Sequence, residues 1–127
     1  MADKLPIVVK WHNKLKPEHI DAAIEYLSLF IKSDELNRIR KKIVKNEDHL
    51  VHYKAKDILR ASGLTPLPGS DSEVASHLMK IHEDLPLHPV ILVSVDEKLY
   101  VADGFHRICA CYSLGDDTEV SCAHIEV

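Results

Sequence analysis

The feature that most constrains this 127-residue sequence is the order of strand and helix signals in its last third. Pro89 to Val93 is a continuous apolar run, typical of a strand that is covered on both faces. A turn over Asp96 to Lys98 leads to a second apolar stretch, Leu99 to Ala102, which Asp103 and Gly104 interrupt. The remaining signals predict a short helix over residues 108–114 and a final strand over 118–125.

The first two thirds of the sequence carry mainly helical signals. Pro17 suits the first turn of a helix, and Ser33 can cap a second one. Apolar residues recur at helical spacing after both positions: Ile20, Ala23, Ile24, Leu27, Phe30, Ile31, then Leu36, Ile39 and Ile43. Ser70 and Glu73 have the spacing of a capping box that opens a helix ending near Asp84. Two further strands are predicted, over residues 6–11 and 49–53.

Length and composition indicate one soluble domain over residues 1–127. The predicted fold class is α+β, with a small mixed sheet flanked by helices and an added strand and helical portion over residues 1–48. Charged residues make up 28% of the chain and the net charge is -4, so nothing global favours DNA or an anionic membrane. Three cysteines and the absence of a leader pattern or a long apolar run indicate a cytoplasmic protein without membrane contact.

The stretch from Asp103 to Arg107 is the predicted functional centre. The first N–H groups of a helix lack intrahelical partners and, with the helix dipole, favour an anion. Gly104 permits close approach or an unusual backbone angle, Arg107 offers a planar fork for phosphate, and His106 is a second donor. Asp103 can orient His106, accept a hydroxyl or bind a metal ion. The alternative is structural, with Asp103 as a helix cap and Arg107 paired to a carboxylate.

The block from Leu87 to Val120 resembles the core of the ParB/sulfiredoxin superfamily. An apolar strand is followed by a second strand ending in Asp103-Gly104-Phe105-His106-Arg107, a small-residue helix, and Leu114-Gly115 before another strand. The upstream capped helix also fits the order of elements in that family. The resemblance covers about residues 49–127 and leaves residues 1–48 as an extension.

This resemblance implies a nucleotide phosphate held at the turn, by Gly104, Phe105, His106 and Arg107, in a bacterial protein. It implies ATP or CTP with Mg²⁺ as ligand. If the protein is an enzyme, Asp103 and His106 would be its catalytic residues in nucleotide hydrolysis or phosphoryl transfer. Phe105 stands where sulfiredoxins carry their reactive cysteine, so sulfiredoxin chemistry is not expected. The chain ends without a helix-turn-helix segment, so partition-type DNA binding is not expected either.

Other residue groups support competing interpretations. Arg38, Arg40, Lys41, Lys42 and Lys45 form a basic helix face, which is either solvated surface or a weak DNA contact. A non-catalytic interaction domain is the third possibility. Cysteines 109, 111 and 122 with His124 invite a zinc interpretation, but the helical spacing of the first two argues against it, and no metal ligands are predicted. Cys109 is a candidate redox thiol, and His88 is a candidate to share a cleft with His106.

Overall fold

The computed structural model describes residues 7–127, which form an α+β fold of five helices and four strands. The helices are α1 (Pro17–Leu27), α2 (Ser33–Lys45), α3 (Ala55–Ser62), α4 (Ser72–His82) and α5 (Phe105–Leu114). The strands are β1 (Val51–Lys54), β2 (Val90–Val95), β3 (Lys98–Asp103) and β4 (Glu119–Glu126). No helix in this range is long and apolar enough to cross a membrane.

The four strands form one mixed sheet in the order β1-β4-β2-β3. Strand β2 runs parallel to β4 and antiparallel to β3, and β1 runs antiparallel to β4. The β2–β3 hairpin turns through Asp96 and Glu97, both of which have positive φ. The predicted mixed sheet with flanking helices is therefore confirmed.

Alternation along β2 divides the core between the two faces of the sheet. Ile91 and Val93 pack with α1 and α2 on one face, whereas Val90 and Leu92 pack with α3 and α5 on the other. All four side chains are fully buried. A third cluster joins α4 to α5 and to Leu87, the residue that precedes the loop into β2. This arrangement places the start of β2, the end of β3 and the first turn of α5 side by side.

Residues 7–10 do not form the predicted strand, and Pro6 lies outside the described residues. Only Trp11 makes a bridge, with Leu87, through hydrogen bonds that join His12 N to Leu87 O and Leu87 N to Lys10 O. Pro89 has no N–H to donate to the next position of this ladder, and on the other side the N–H of Leu85 donates to Lys80 O at 2.9 Å, so the ladder does not extend.

Several predicted helix ends are also wrong. Helix α1 ends at Leu27, which leaves Phe30 46% exposed, and α2 begins at Ser33 without a capping bond from that side chain. The cap of α4 is Asp71, whose carboxylate accepts from the N–H groups of Glu73 and Val74 at 3.0 and 3.1 Å. A carboxylate adds negative charge at the positive end of the helix dipole, and this favours Asp71 over the neighbouring serine.

Candidate functional site

The turn between β3 and α5 has the strand-to-helix geometry that the sequence predicts. Gly104 has a φ of 105°, in the left-handed region that side chains disfavour. A Cβ atom at this position would lie 2.4 Å from Cγ1 of Val90. The close approach that requires glycine is therefore the packing of the turn against β2.

Arg107 is almost fully buried, with 5% of the residue exposed. Its Nη1 donates to the backbone oxygens of His88 and Pro89 at 2.7 and 3.0 Å, and lies 3.3 Å from Nδ1 of His19. Its Nη2 contacts Oδ2 of Asp103 at 2.5 Å. The guanidinium thus ties α5 to the start of β2 and the end of β3, and most of its donors are already used within the protein.

Asp103 belongs to the same buried pair and makes no capping bond to α5. Its Oδ2 lies 3.8 Å from Nδ1 of His19 in addition to its contact with Arg107. Burial raises the pKa of this carboxyl, and the adjacent guanidinium opposes the rise. Of the two alternatives that the sequence left open, this pairing matches the structural one for Arg107.

His106 and Phe105 point away from this pair. His106 Nδ1 lies 3.1 Å from a carboxylate oxygen of Glu73 on α4. Phe105 is partly buried and packs against the two core clusters on the α5 side of the sheet. The structure therefore brings Asp103 and Arg107 together but separates both from His106.

A cavity of about 360 Å³ opens on the side of the turn where the Arg107 guanidinium lies. We call it the histidine–lysine cavity. Its basic and ionisable lining residues come from the N-terminal loop, α1, α4, the β2 approach and α5: His12, Lys16, His19, His77, Lys80, His88 and Arg107. The other lining residues are Leu85, Pro86 and Leu87, so no carboxylate lines the cavity. His88 lines this cavity but His106 does not, so the prediction that the two share a cleft is wrong for this cavity.

The histidines of the cavity contact one another. The rings of His12 and His88 are stacked with their centroids 4.0 Å apart, and His19 meets His88 edge-on at 5.4 Å. The Nδ1 atoms of His77 and His88 are buried and have no hydrogen-bond partner. These contacts favour neutral imidazole rings.

Burial and nearby positive charge lower the pKa values of three of these histidines. Burial has the largest effect in each case and, with Arg107, lowers the pKa of His19 and of His77 to about 4. The pKa of His88 is also lowered to about 4, by burial and by the neighbouring His12 and His19. At neutral pH the fixed positive charges of the cavity are therefore Lys16, Lys80 and Arg107.

These shifts predict a loss of stability in mild acid. Because the folded-state pKa values lie below the ordinary value of 6.5, the unfolded chain binds more protons between pH 6.5 and about 4. We expect the free energy of unfolding to be constant above this window and to fall as the pH falls through it. Urea titrations at a series of pH values measure the slope. A free energy of unfolding that stays level across this window would contradict the assignment of neutral histidines.

Residues outside the cavity have structural contacts. All three cysteines are buried, and burial raises the pKa of Cys109, which does not favour a reactive thiolate. His124 contacts Ser94 and Tyr53 at 2.7 and 2.9 Å. Among residues 7–127, no group of three or more histidine, cysteine or acidic side chains is arranged to hold a metal ion.

The basic helix face lies on α2, apart from the cavity lining. Lys41, Lys45 and Arg38 are exposed, whereas Arg40 pairs with Asp21 at 2.9 Å. Lys42 donates to the backbone oxygen of Glu126 at 3.3 Å. This face is largely solvated surface in the isolated chain.

The sequence analysis missed five of the cavity residues, namely His12, Lys16, His19, His77 and Lys80. Lys16 and His19 are three residues apart in the sequence, and so are His77 and Lys80. This spacing places the two members of each pair on one side of a helix. That spacing was the available signal. It does not show that α1 and α4 meet beside Arg107, because that depends on tertiary packing. No family model, curated protein or solved structure matches this chain.

Proposed function

We propose that this protein binds a phosphate-bearing ligand in the histidine–lysine cavity, and that the ligand is a nucleotide. The observation that carries the proposal is the composition of the cavity lining. Seven basic or imidazole side chains line it without a carboxylate, in a chain whose net charge is -4. Three of them, Lys16, Lys80 and Arg107, carry positive charge at neutral pH, and positive charge concentrated in a cleft attracts anions.

The shape and position of the cavity support a small-molecule ligand. Its volume of about 360 Å³ lies near the lower end of the range for small-molecule sites. Lysine ammonium groups and imidazole N–H groups are suitable donors for phosphate oxygens. The choice of a nucleotide rests on the resemblance of residues 49–127 to ParB/sulfiredoxin proteins.

The proposed contacts differ from those that the sequence indicated. Arg107 contributes its charge at the cavity wall, while its hydrogen bonds hold the fold. The Val90 side chain occupies the space beside Gly104, and His106 faces Glu73. Neither Gly104 nor His106 is therefore among the proposed ligand contacts. Lys16, Lys80 and the histidines take their place.

The residues of this cavity are poor ligands for Mg²⁺. Mg²⁺ prefers oxygen ligands, usually one or two carboxylates with phosphate oxygens. The cavity lining has no carboxylate, and Asp103 is engaged by Arg107. The proposal is therefore for nucleotide binding, without a step that depends on a protein-held metal ion.

The test is a thermal-shift titration with ATP, ADP, CTP and GTP. A ligand that binds only the folded chain at about 100 times its Kd adds about 2.7 kcal/mol to the free energy of unfolding. We expect Lys16→Gln/Lys80→Gln to lose this stabilisation, because both ammonium groups are at the cavity and exposed enough to be replaced without loss of fold. The matched control is Lys41→Gln/Lys45→Gln, which removes the same charge from α2.

Three outcomes decide the proposal. Stabilisation of the parent and the α2 control, with loss in the cavity variant, supports it. No stabilisation of the parent by any of the four nucleotides contradicts it. Stabilisation that is lost only in the α2 variant also contradicts it and points to the basic helix face, where DNA binding with a steep salt dependence would be measured next.

A further inference from the structure

The two buried histidine nitrogens without partners distinguish this cavity from an ordinary basic patch. His77 on α4 and His88 before β2 both line the cavity, and each has a buried Nδ1 that makes no hydrogen bond. Buried polar atoms without partners are rare in folded proteins and require an explanation. Both rings therefore line the cavity through atoms other than Nδ1, and no hydrogen bond within the protein fixes the protonation state of either ring.

We infer that the bound group is a dianionic tetrahedral oxyanion, and that it enters together with a proton that His77 or His88 binds. This inference rests on the proposed function and names the ionic form of the ligand and the residues that match it. The proton comes from solvent and is held on an imidazole nitrogen, so one ring becomes an imidazolium beside the dianion. Apart from this N–H bond, no covalent bond is formed or broken.

The charged groups around both rings explain why the proton is absent before the ligand binds. His88 faces His12, His19, Lys16 and Arg107, which come from the N-terminal loop, α1 and α5. His77 faces Arg107, Lys80, His106 and His19. Each of these neighbours is basic or an imidazole. The nearby carboxylates have other partners, since Asp103 pairs with Arg107 and Glu73 with His106.

A dianion in the cavity opposes the effect of these positive neighbours on the protonation of His77 and His88. An opposite charge within about 4–6 Å favours the charged form of a histidine. Burial and positive neighbours lower the pKa of both rings to about 4, so the effect of the anion falls in the range where the protein can be studied. By linkage, the affinity for a dianion must then rise as the pH falls.

His19 is not the group that takes up the proton, although it lines the same cavity. Its Nδ1 lies 3.3 Å from Nη1 of Arg107, so this nitrogen accepts a hydrogen bond from a guanidinium. A proton on that nitrogen would replace the hydrogen bond with a repulsive contact to the guanidinium, and the Asp103 oxygen 3.8 Å from this nitrogen already pairs with Arg107. His77 and His88 have no such bond to lose.

Sulfate is the probe for the test, because it remains a dianion over the whole range of interest while phosphate does not. Isothermal titration calorimetry at about pH 5.5 and about pH 7.5, at constant ionic strength, measures its affinity for the full chain. Return of one histidine pKa to its ordinary range predicts about tenfold tighter sulfate binding at the lower pH. Paired buffers with different ionisation enthalpies should also report proton uptake.

The variants are His77→Gln, His88→Gln and the double variant, with His52→Gln on the exposed edge strand β1 as the control. Glutamine keeps an N–H donor but does not titrate. We expect the pH dependence to weaken in each single variant, to vanish in the double variant and to persist in His52→Gln. Circular dichroism at both pH values verifies the fold, and the single variants and the parent carry the test if the double variant unfolds.

The outcomes separate this inference from the proposed function. No sulfate binding by the parent at either pH, together with no nucleotide stabilisation, overturns both. Sulfate binding with equal affinity at the two pH values, without proton uptake, overturns this inference alone. Persistence of the pH dependence in the folded double variant overturns the assignment to His77 and His88.

Discussion

Replacement of Gly104 with alanine should destabilise the fold by about 4 kcal/mol. The φ of 105° is one that alanine adopts only at a cost. The new Cβ would also lie 2.4 Å from Cγ1 and 2.7 Å from Cβ of Val90, a fully buried residue of β2 that has no room to move. Urea denaturation followed by circular dichroism measures the change in the free energy of unfolding.

Gly63 provides the matched control. It also has a positive φ, of 72°, but an added Cβ would meet nothing within 4 Å. Gly63→Ala therefore isolates the backbone strain, which we expect to cost about 1 kcal/mol. Equal losses in the two variants would contradict the close packing of the turn against β2.

Replacement of Arg107 with methionine should cost about 3–5 kcal/mol. Methionine keeps much of the aliphatic stem but removes the guanidinium, which leaves the partly buried carboxylate of Asp103 without its partner. The backbone oxygens of His88 and Pro89 lose a donor as well. Urea denaturation again measures the effect. Because this variant weakens the fold, loss of ligand binding in it would not by itself locate the site.

The control for this prediction is Arg40→Met. Arg40 pairs with Asp21 at 2.9 Å, but both side chains are exposed, at 43% and 71%. Exposed ion pairs contribute about 0–1 kcal/mol, so we expect a small change. A loss in Arg107→Met no larger than that in Arg40→Met would show that the guanidinium does not hold the turn in place.

The sequence predicted the second half of the fold well because its signals there are local. The apolar run at β2, the Asp-Gly break and the glycine after α5 each act within a few residues, and each marks a real boundary. The predicted N-terminal strand does not form in residues 7–10, and the reason is non-local. Within the described residues its one bridge is that of Trp11 with Leu87, which does not extend because Pro89 lacks an N–H group and the N–H of Leu85 donates to Lys80 O.

The cavity that we propose as the site lies beside the predicted turn, but most of its lining residues are different. The local pattern of Asp103 to Arg107 predicted an anion site at a strand-to-helix turn and, as the alternative, a helix cap at Asp103 with Arg107 paired to a carboxylate. It did not predict that the Arg107 guanidinium donates hydrogen bonds to the backbone oxygens of His88 and Pro89. The cavity itself is built from the N-terminal loop, α1, α4, the approach to β2 and α5, and their meeting depends on how α1 and α4 pack.

The most direct test of the central claim is a titration of the isotopically labelled chain with ATP, followed by the side-chain nitrogen signals of its nine histidines. These signals report position and protonation at each ring. If the ligand enters the histidine–lysine cavity, the largest changes will be those of His12, His19, His77 and His88, while those of His49, His52 and His124 remain in place. Unchanged signals from the four cavity histidines at saturating ATP would contradict the account.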